Sequence, residues 1–181
     1  MRLKELYKKK VLPQLKQDFD IKNDLAVPRL DKVTINVGLG PGLKDKEPKY
    51  KEQVVATLTK ITGQKPVMTK ARKSISSFKI RAGMEIGAKV TMRGNRMYDF
   101  VDKFINVVLP RVRDFRGIDS KTVDKDGNIS VGIRESLAFP ELSPEEINLV
   151  HPLEVTITTT ANNRDEGFAL FQYLGFPFKN K

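Results

Sequence analysis

The sequence predicts an α+β fold in which helices pack on one face of a mainly antiparallel sheet and a long basic loop protrudes. Segments with an apolar residue at every second position alternate along the chain with amphipathic helical segments. Hydrophobic residues make up 39% of the 181 residues, enough for a sizeable core. We therefore expect one domain over residues 1–181, with an amino-terminal helix at 1–20 and the protruding loop at 70–82.

The amino-terminal third predicts two helices and a strand. Apolar residues recur at three- and four-residue steps over residues 3–19 and predict an amphipathic helix. Pro13 interrupts this pattern and predicts a kink or break near Leu12. Residues 32–37 alternate apolar and polar side chains and predict a strand. Residues 48–62 predict the second helix, capped by the glycine that follows it.

The rest of the chain predicts four strands and two helices around the basic loop. Asn95 is expected to cap the first of these helices and Pro110 to stop it. The predicted elements are a strand at 66–69, a loop at 70–79, a strand at 86–93, a helix at 95–109, strands at 129–134 and 153–160, and a helix at 164–174.

Positive charge is concentrated in the first two thirds of the chain. The net charge is +11, but residues 1–116 carry +15 and residues 117–181 carry −4. Residues 64–96 hold nine Lys or Arg and one acid, Glu85. A polyanion suits the basic part, and a basic protein suits the acidic part.

The outward positions of the predicted strands share one chemistry. Small hydroxyl groups, an amide and a few cations dominate them, without aromatic side chains, which predicts RNA contact by shape and polar bonding and not by base stacking. These positions are Thr34, Asn36, Lys89, Thr91, Arg93, Ser130, Arg134, Thr156 and Thr158. The same alternation predicts that Gly87 also faces outward.

Enzymatic and metal chemistry finds little support. The glycine-rich turn at residues 38–42 follows a strand but matches neither the dinucleotide-binding nor the Walker pattern, and is interpreted as a flexible turn. Residues 122–133 lack acids at the first and last positions of a calcium loop. His151, the single histidine, has no triad partners and is interpreted as a surface residue. We expect no catalytic residue, metal or cofactor.

Compartment signals are equally sparse. The chain has no cysteine, no apolar run long enough to span a bilayer and no secretion signal at its amino terminus. These observations favour the cytosol.

Several motifs carry a resemblance to a known family over essentially the whole chain. The most specific motif is Leu58-x-x-Ile61-Thr62-Gly63-Gln64-x-x-Val67-x-Thr69-x-Ala71-Arg72-x-Ser74, and others are Lys32 to Gly38, Phe78-Lys79-Ile80-Arg81, Leu109 to Phe115, Gly132-Ile133-Arg134-Glu135 and Phe139-Pro140-Glu141. With these motifs the chain resembles the bacterial form of large-subunit ribosomal protein five.

The resemblance implies a structural protein of the cytoplasmic ribosome with no chemistry of its own. Its implied partners are 5S ribosomal RNA in the central protuberance, large-subunit ribosomal RNA, other large-subunit proteins, peptidyl-site transfer RNA and a small-subunit head protein. The 5S contacts would be Thr34, Asn36, Gln64, Lys65, Thr69, Arg72, Lys89, Thr91 and Arg93. The transfer-RNA loop would be Lys73, Ser74, Ser76, Ser77, Phe78 and Lys79. The small-subunit bridge would be Arg111, Arg113, Arg116, Glu141, Glu145 and Glu146.

Two further expectations concern the loops. Residues 73–79 carry little apolar surface for docking, so we expect this loop to be poorly ordered in the free protein. The alternative to a structural RNA-binding protein is a nucleotide-dependent or RNA-modifying enzyme that uses the turn at residues 38–42.

Overall fold

The computed structural model describes residues 2–40, 49–143 and 151–179, and these residues include a five-stranded sheet. All of the predicted strands occur, with ends within two residues of the predicted ones. They are β1 (Leu30–Gly38), β2 (Val67–Lys70), β3 (Glu85–Met92), β4 (Ile129–Ile133) and β5 (Leu153–Thr159). Across the sheet the strands lie in the order β2, β3, β1, β5, β4.

Neighbouring strands run in opposite directions. β2 and β3 pair in antiparallel register, with Val67 opposite Lys89. Arg29, just before β1, exchanges two hydrogen bonds with Thr160, just after β5. The Arg29 N–H donates to Thr160 Oγ1 at 3.1 Å, and the Thr160 N–H donates to the Arg29 carbonyl at 2.9 Å. The predicted α+β class with a mainly antiparallel sheet is confirmed.

The chain divides into two compact units. Unit 1 comprises Met1–Val33, Met92–Val131 and Thr156–Lys181, and unit 2 comprises Thr34–Thr91 and Gly132–Val155. That residues 1–181 act as one RNA-binding domain stays a prediction.

Among the described residues, the α-helical segments belong mostly to unit 1. α1 contacts α4 and α2 contacts α6 within that unit, whereas α3 belongs to unit 2. The segments are α1 (Leu3–Leu6), α2 (Leu12–Asp18), α3 (Lys49–Thr62), α4 (Gly94–Lys103), α5 (Leu109–Arg111) and α6 (Arg164–Tyr173).

Wider, π-helical turns join α1 to α2 and α4 to α5. They span Tyr7–Val11 and Phe104–Val108. In the first, the Leu12 N–H donates to the carbonyl of residue 7, five residues back, and Leu109 makes the equivalent bond in the second. A proline follows one residue later in each case, and because it has no N–H the carbonyl four residues before it loses its usual helical partner.

Three predictions about the helix ends are corrected by this geometry. The kink predicted at Pro13 takes the form of the preceding π turn. Pro110 does not stop its helix but lies in the first turn of α5, where a proline needs no N–H partner. Asn95 does not cap α4, because the capping position is Arg93, which makes no side-chain capping bond. The Asn95 Oδ1 instead accepts a hydrogen bond from Lys4 Nζ at 2.7 Å.

Each unit has its own set of fully buried side chains. In unit 1 they come from the helices and from the carboxyl-terminal part of the sheet, and in unit 2 from β1, α3 and the segment after β4. The largest in unit 1 are Leu15, Met97, Phe104, Ile157, Leu170 and Phe171, and in unit 2 they are Ile35, Leu58 and Phe139.

A close backbone approach in unit 1 joins the turn before β4 to α6. A Cβ atom on Gly167 would lie 2.3 Å from the Gly127 Cα. Gly127 has a φ of +73°, and its carbonyl accepts a hydrogen bond from Thr159 Oγ1 at 2.8 Å. The turn is therefore held between α6 and β5, and neither glycine has room for a side chain.

We expect Gly167→Ala to destabilise the protein by about 2–3 kcal/mol, because the new methyl group meets backbone that cannot rotate away. Gly132→Ala in β4 is the matched control, since a Cβ atom there meets nothing within 4 Å. It should change the free energy of unfolding by less than about 0.5 kcal/mol. Urea denaturation of both variants measures the difference, and equal stabilities would contradict the packing argument.

A second expectation concerns the buried hydroxyl of Tyr7. Burial, and then the neighbouring Tyr98, raises the pKa of Tyr7 to about 12, and the hydroxyl donates to the Pro28 carbonyl at 3.0 Å. Because the folded pKa lies above the unfolded value near 10, this contribution is complete below pH 10 and is lost as the pH rises towards 12.

Tyr7→Phe should lower the free energy of unfolding by on the order of 1 kcal/mol at about pH 9, since the Pro28 carbonyl loses its donor. The difference in free energy of unfolding between wild type and variant should shrink between about pH 10 and pH 12, as measured by denaturant unfolding. A gap that stays constant over this range would show that the hydroxyl does not titrate with unfolding.

Candidate nucleic-acid interface

Side chains alternate in direction along β1 and β3, so that polar side chains lie on the side turned away from the core. Along β1, Val33, Ile35 and Val37 are completely buried, whereas Asn36 is exposed and Thr34 is half-buried. β3 repeats the pattern, with exposed residues at the two positions predicted for RNA contact, Lys89 and Thr91. β1 and β3 are neighbours in the sheet, so the structure brings these four predicted site residues onto adjacent strands.

The register of β2 adds Thr69 to the same side. Because Val67 lies opposite Lys89 and Thr69 opposite Gly87, the four side-chain positions share one face of the antiparallel pair. Gly87 lies on this outward face as predicted, but it is buried there. A Cβ atom on Gly87 would come within 2.7 Å of Thr69 Oγ1 and 3.0 Å of the Val37 carbonyl oxygen. The bare backbone at this position therefore lets the Thr69 side chain lie across β3.

The segments on either side of β2 contain further residues that are predicted to contact 5S RNA. Gln64 is half-buried, while Lys65 and Arg72 are exposed at the two ends of the strand. No carboxylate among the described residues pairs with Lys65, Arg72 or Lys89. Their charges thus remain available to an anionic partner.

The single acid of the basic segment is neutralised from within unit 2. Glu85 forms an ion pair with Lys51 on α3. Because this carboxylate already has a cationic partner, it opposes a polyanion less than an unpaired acid would.

The loop between β2 and β3 forms a hydrogen-bonded finger, defined here as residues 71–84. At its base the Ala71 N–H donates to the Met84 carbonyl at 2.8 Å. Further out, Ile75 and Ile80 exchange two backbone hydrogen bonds of 2.9 and 3.1 Å. Between these levels the Ser74 hydroxyl oxygen accepts from the Ala82 N–H at 2.9 Å. The finger therefore has a defined backbone path in the manner of a short hairpin.

The tip of the finger carries its predicted transfer-RNA residues outward. Lys73, Ser74, Ser76, Ser77 and Lys79 are all exposed, and Lys79 closes the turn with a φ of +54°. Phe78, at 57% exposure, is the most exposed aromatic side chain among the described residues. The apolar tip does not dock on either unit's core, and the expectation of poor order in the free protein stays untested.

Unit 1 carries the remaining predicted 5S contact, Arg93, just after β3. Its guanidinium pairs with Asp31 at 3.1 Å, with both side chains partly exposed. The sequence interpretation missed this carboxylate because it began the strand at residue 32, whereas β1 begins at Leu30. In an antiparallel pair the start of one strand faces the end of its neighbour, and that rule could have placed Asp31 beside Arg93.

The predicted bridge residues are only partly described. Arg111 ends α5, and it is exposed together with Arg113 and Arg116 in the loop that follows. Glu141 is also exposed. Glu145 and Glu146 lie outside the described residues, as does the second half of the glycine-rich turn at 38–42.

The loop with these arginines is tied to the carboxyl-terminal tail. The Ile118 N–H donates to the Pro177 carbonyl at 2.8 Å, and the Lys179 N–H returns a bond of 2.9 Å to the Ile118 carbonyl. Gly117 has a φ of +93° and leaves no room for a side chain against Lys179. The tail thereby fixes the end of the arginine-bearing loop.

Features that could support catalysis or metal binding do not lie together among the described residues. His151, interpreted from sequence as a surface residue, is in fact 1% exposed. Its ring and that of Tyr50 are nearly perpendicular, with their centroids 6.4 Å apart. Within residues 2–40, 49–143 and 151–179, His, Asp and Glu form no group suited to a metal ion. None of the helices in the same ranges is both long enough and apolar enough to cross a bilayer.

Comparison with known proteins gives a consistent result over the chain. A family model described as Ribosomal protein L5 matches residues 23–81, and a second model, which describes the C-terminus of the same ribosomal family, matches residues 85–178. A relative from Herpetosiphon aurantiacus, named Large ribosomal subunit protein uL5, is 50% identical over 179 residues, covering 99% of each chain.

Proposed function

The chain belongs to the ribosomal protein L5 family, and on that premise we propose that it binds 5S ribosomal RNA, contacts peptidyl-site transfer RNA and bridges to the small subunit. As a member of this family it is a structural component of the large ribosomal subunit, not an enzyme. The alternative of an enzyme that uses the turn at residues 38–42 is thereby overturned.

The observation that carries the 5S proposal is the polar side of β1, β2 and β3 in unit 2. It combines an exposed amide, Asn36, with hydroxyl groups and with the unpaired cations Lys65, Arg72 and Lys89. Amides and hydroxyls on a rigid sheet suit sugar hydroxyls and phosphate oxygens, and the cations add a salt-dependent attraction. Aromatic platforms for base stacking do not occur at these positions, so recognition rests on the shape and backbone of the RNA.

The finger supports the transfer-RNA part of the proposal. Its backbone bonds hold Lys73 and Lys79 at the end of a hairpin-like projection, together with the hydroxyl groups of Ser76 and Ser77. Lysine and serine contact phosphates without reading bases, as a protein must when it meets transfer RNAs of many sequences. Phe78 adds an apolar group that would rest on a sugar or base surface.

Fewer observations support the proposed bridge to a small-subunit head protein. Arg111, Arg113 and Arg116 form an exposed basic loop, and Glu141 lies in the acidic part of the chain. Charges of both signs would fit a partner with complementary patches, and such contacts are weakened by salt.

Asn36→Ala tests the polar side of the sheet without changing charge. Loss of the amide should weaken 5S RNA binding by about 1–3 kcal/mol, because an RNA donor or acceptor is left unpaired. The logarithmic salt dependence should keep a slope of roughly −3 to −5, which corresponds to about 4 to 6 neutralised phosphates. Filter binding over a KCl series measures both quantities.

The control for this experiment is Asn162→Ala, which removes an exposed amide from the loop before α6. It should bind 5S RNA as the wild type does. Wild-type affinity in Asn36→Ala, or equal losses in both variants, would contradict the proposed contact.

Replacing residues 74–78 by a Gly-Ser link tests the finger separately. The base of the finger, where Ala71 and Met84 are hydrogen-bonded, remains, so folding and 5S affinity should stay within about threefold of wild type. Assembled ribosomes with this variant should protect the peptidyl-site transfer RNA less in chemical footprinting. An unchanged footprint with lost 5S affinity would assign the finger to the 5S site instead.

A further inference from the structure

The three arginines of the proposed bridge lie in a segment with little regular structure of its own. α5 ends at Arg111, and residues 111–117 are called here the arginine loop. The Val112 N–H donates to the Leu109 carbonyl at 3.2 Å, and the Phe115 N–H donates to the Val112 carbonyl at 3.3 Å. Because these distances lie at or beyond the long end of the usual range of about 2.7–3.2 Å, the two bonds hold the loop only weakly.

The arginine loop also contains a residue in an uncommon backbone conformation. Asp114 has a φ of +55°, in the left-handed region that few residues other than glycine adopt. Aspartate tolerates this region better than most residues do, but such a conformation persists only where the surrounding structure defines it. The shape of the loop therefore depends on contacts from outside it.

The carboxyl-terminal tail, defined here as residues 175–179, supplies such contacts. The Ile118 N–H donates to the Pro177 carbonyl at 2.8 Å, and the Lys179 N–H donates to the Ile118 carbonyl at 2.9 Å. Both bonds are shorter than those within the loop. Gly117 allows this close approach, since a Cβ atom there would lie 2.9 Å from the Lys179 nitrogen. The tail and the loop both belong to unit 1.

The tail is itself anchored on α6 by aromatic side chains. Phe176 is buried, and its ring centroid lies 5.0 Å from that of Phe171. The half-buried Phe178 lies with its ring centroid 4.7 Å from that of Phe168. A helix thus supports the tail, and the tail in turn supports the end of the arginine loop.

The charges of the arginine loop are available to a partner. Arg111, Arg113 and Arg116 are exposed, and no carboxylate among the described residues forms an ion pair with them. A guanidinium binds a carboxylate most strongly through two parallel N–H bonds, so the direction of the side chain matters as well as its charge. A loop that is correctly oriented for only part of the time loses affinity in proportion to that fraction.

We propose that the carboxyl-terminal tail is a positioning element for the bridge, in which the Lys179 N–H and the Phe178 ring hold the arginine loop in the geometry that binds carboxylates of a protein partner. This inference rests on the proposed small-subunit bridge and adds the tail as a determinant of its affinity. Weakening the tail should spare 5S binding, because all of the proposed 5S contacts except Arg93 belong to unit 2.

The first test compares two substitutions of one exposed residue. Lys179→Pro removes the N–H that bonds to the Ile118 carbonyl, whereas Lys179→Ala loses the same ammonium group but keeps the N–H. Light scattering measures the association of small subunits with large subunits that carry each variant in place of the wild-type protein. Lys179→Pro should weaken association by about three- to tenfold, and Lys179→Ala should match wild type. Both should bind 5S RNA within about threefold of wild type in filter binding.

The second test concerns the aromatic contact of the tail. Phe178→Ala removes the ring that packs on Phe168, and Phe178→Tyr keeps it. The alanine variant should weaken subunit association to the same extent as Lys179→Pro, and the tyrosine variant should restore association to within about twofold of wild type. Circular dichroism and thermal unfolding check that each variant keeps the fold.

A combined variant separates positioning from general destabilisation. Arg113→Gln/Arg116→Gln removes two cations of the arginine loop and should weaken subunit association by itself. Adding Lys179→Pro to this variant should cause less than about a twofold further loss, because the tail then has no arginine contact left to position. Independent effects of the tail and the loop would instead multiply the two losses.

Four outcomes would overturn the proposal. Equal association in the two Lys179 variants would show that the N–H bond does not matter, and multiplied losses in the combined variant would show that the tail does not act through the arginines. A loss of 5S affinity in Lys179→Pro would show that the tail supports the whole protein. Unchanged association in the arginine variant would overturn the bridge itself, and this inference with it, whereas a loss there without one in Lys179→Pro would overturn the inference alone.

Discussion

The alternation of side chains along extended backbone is the constraint on which this structure depends. Val33, Ile35 and Val37 are all completely buried on one face of β1, so Thr34 and Asn36 must point the other way. A shift of one residue in register would bury the amide and expose the three branched side chains. The same alternation therefore produces both the polar surface and the buried apolar face, and a register shift would lose both.

This constraint explains which features the sequence could predict. Strand positions follow from a period of two, and the outward residues of β1 and β3 were placed correctly because alternation is a local property. The same holds for Gly63, where the end of a helix and a positive φ require glycine. Local chemistry and local geometry agree at these positions, so no knowledge of the tertiary structure is needed.

Features that depend on a second segment were missed or placed wrongly. Gly87 lies on the outward face as predicted, but only the packing of Thr69 against it shows that it is buried. The ion pair of Arg93 with Asp31 joins residues 62 positions apart, and His151, interpreted from sequence as a surface residue, is buried. Each of these depends on which strand or helix lies alongside, and single-sequence periodicity carries no such information.

The π turns change the side of the helix on which the residues after them lie. The buried residues Leu3, Tyr7, Val11 and Leu15 follow one another at intervals of four. An α-helix with about 3.6 residues per turn rotates such a stripe by about 40° at each step, so its last member would drift away from the core. A wider turn in the middle reverses part of that drift. The smaller rotation per residue in the π turn thus offsets the drift, and it lets a strictly four-spaced stripe stay on one side of a continuous helix. Phe100, Phe104 and Val108 repeat this spacing around the second turn.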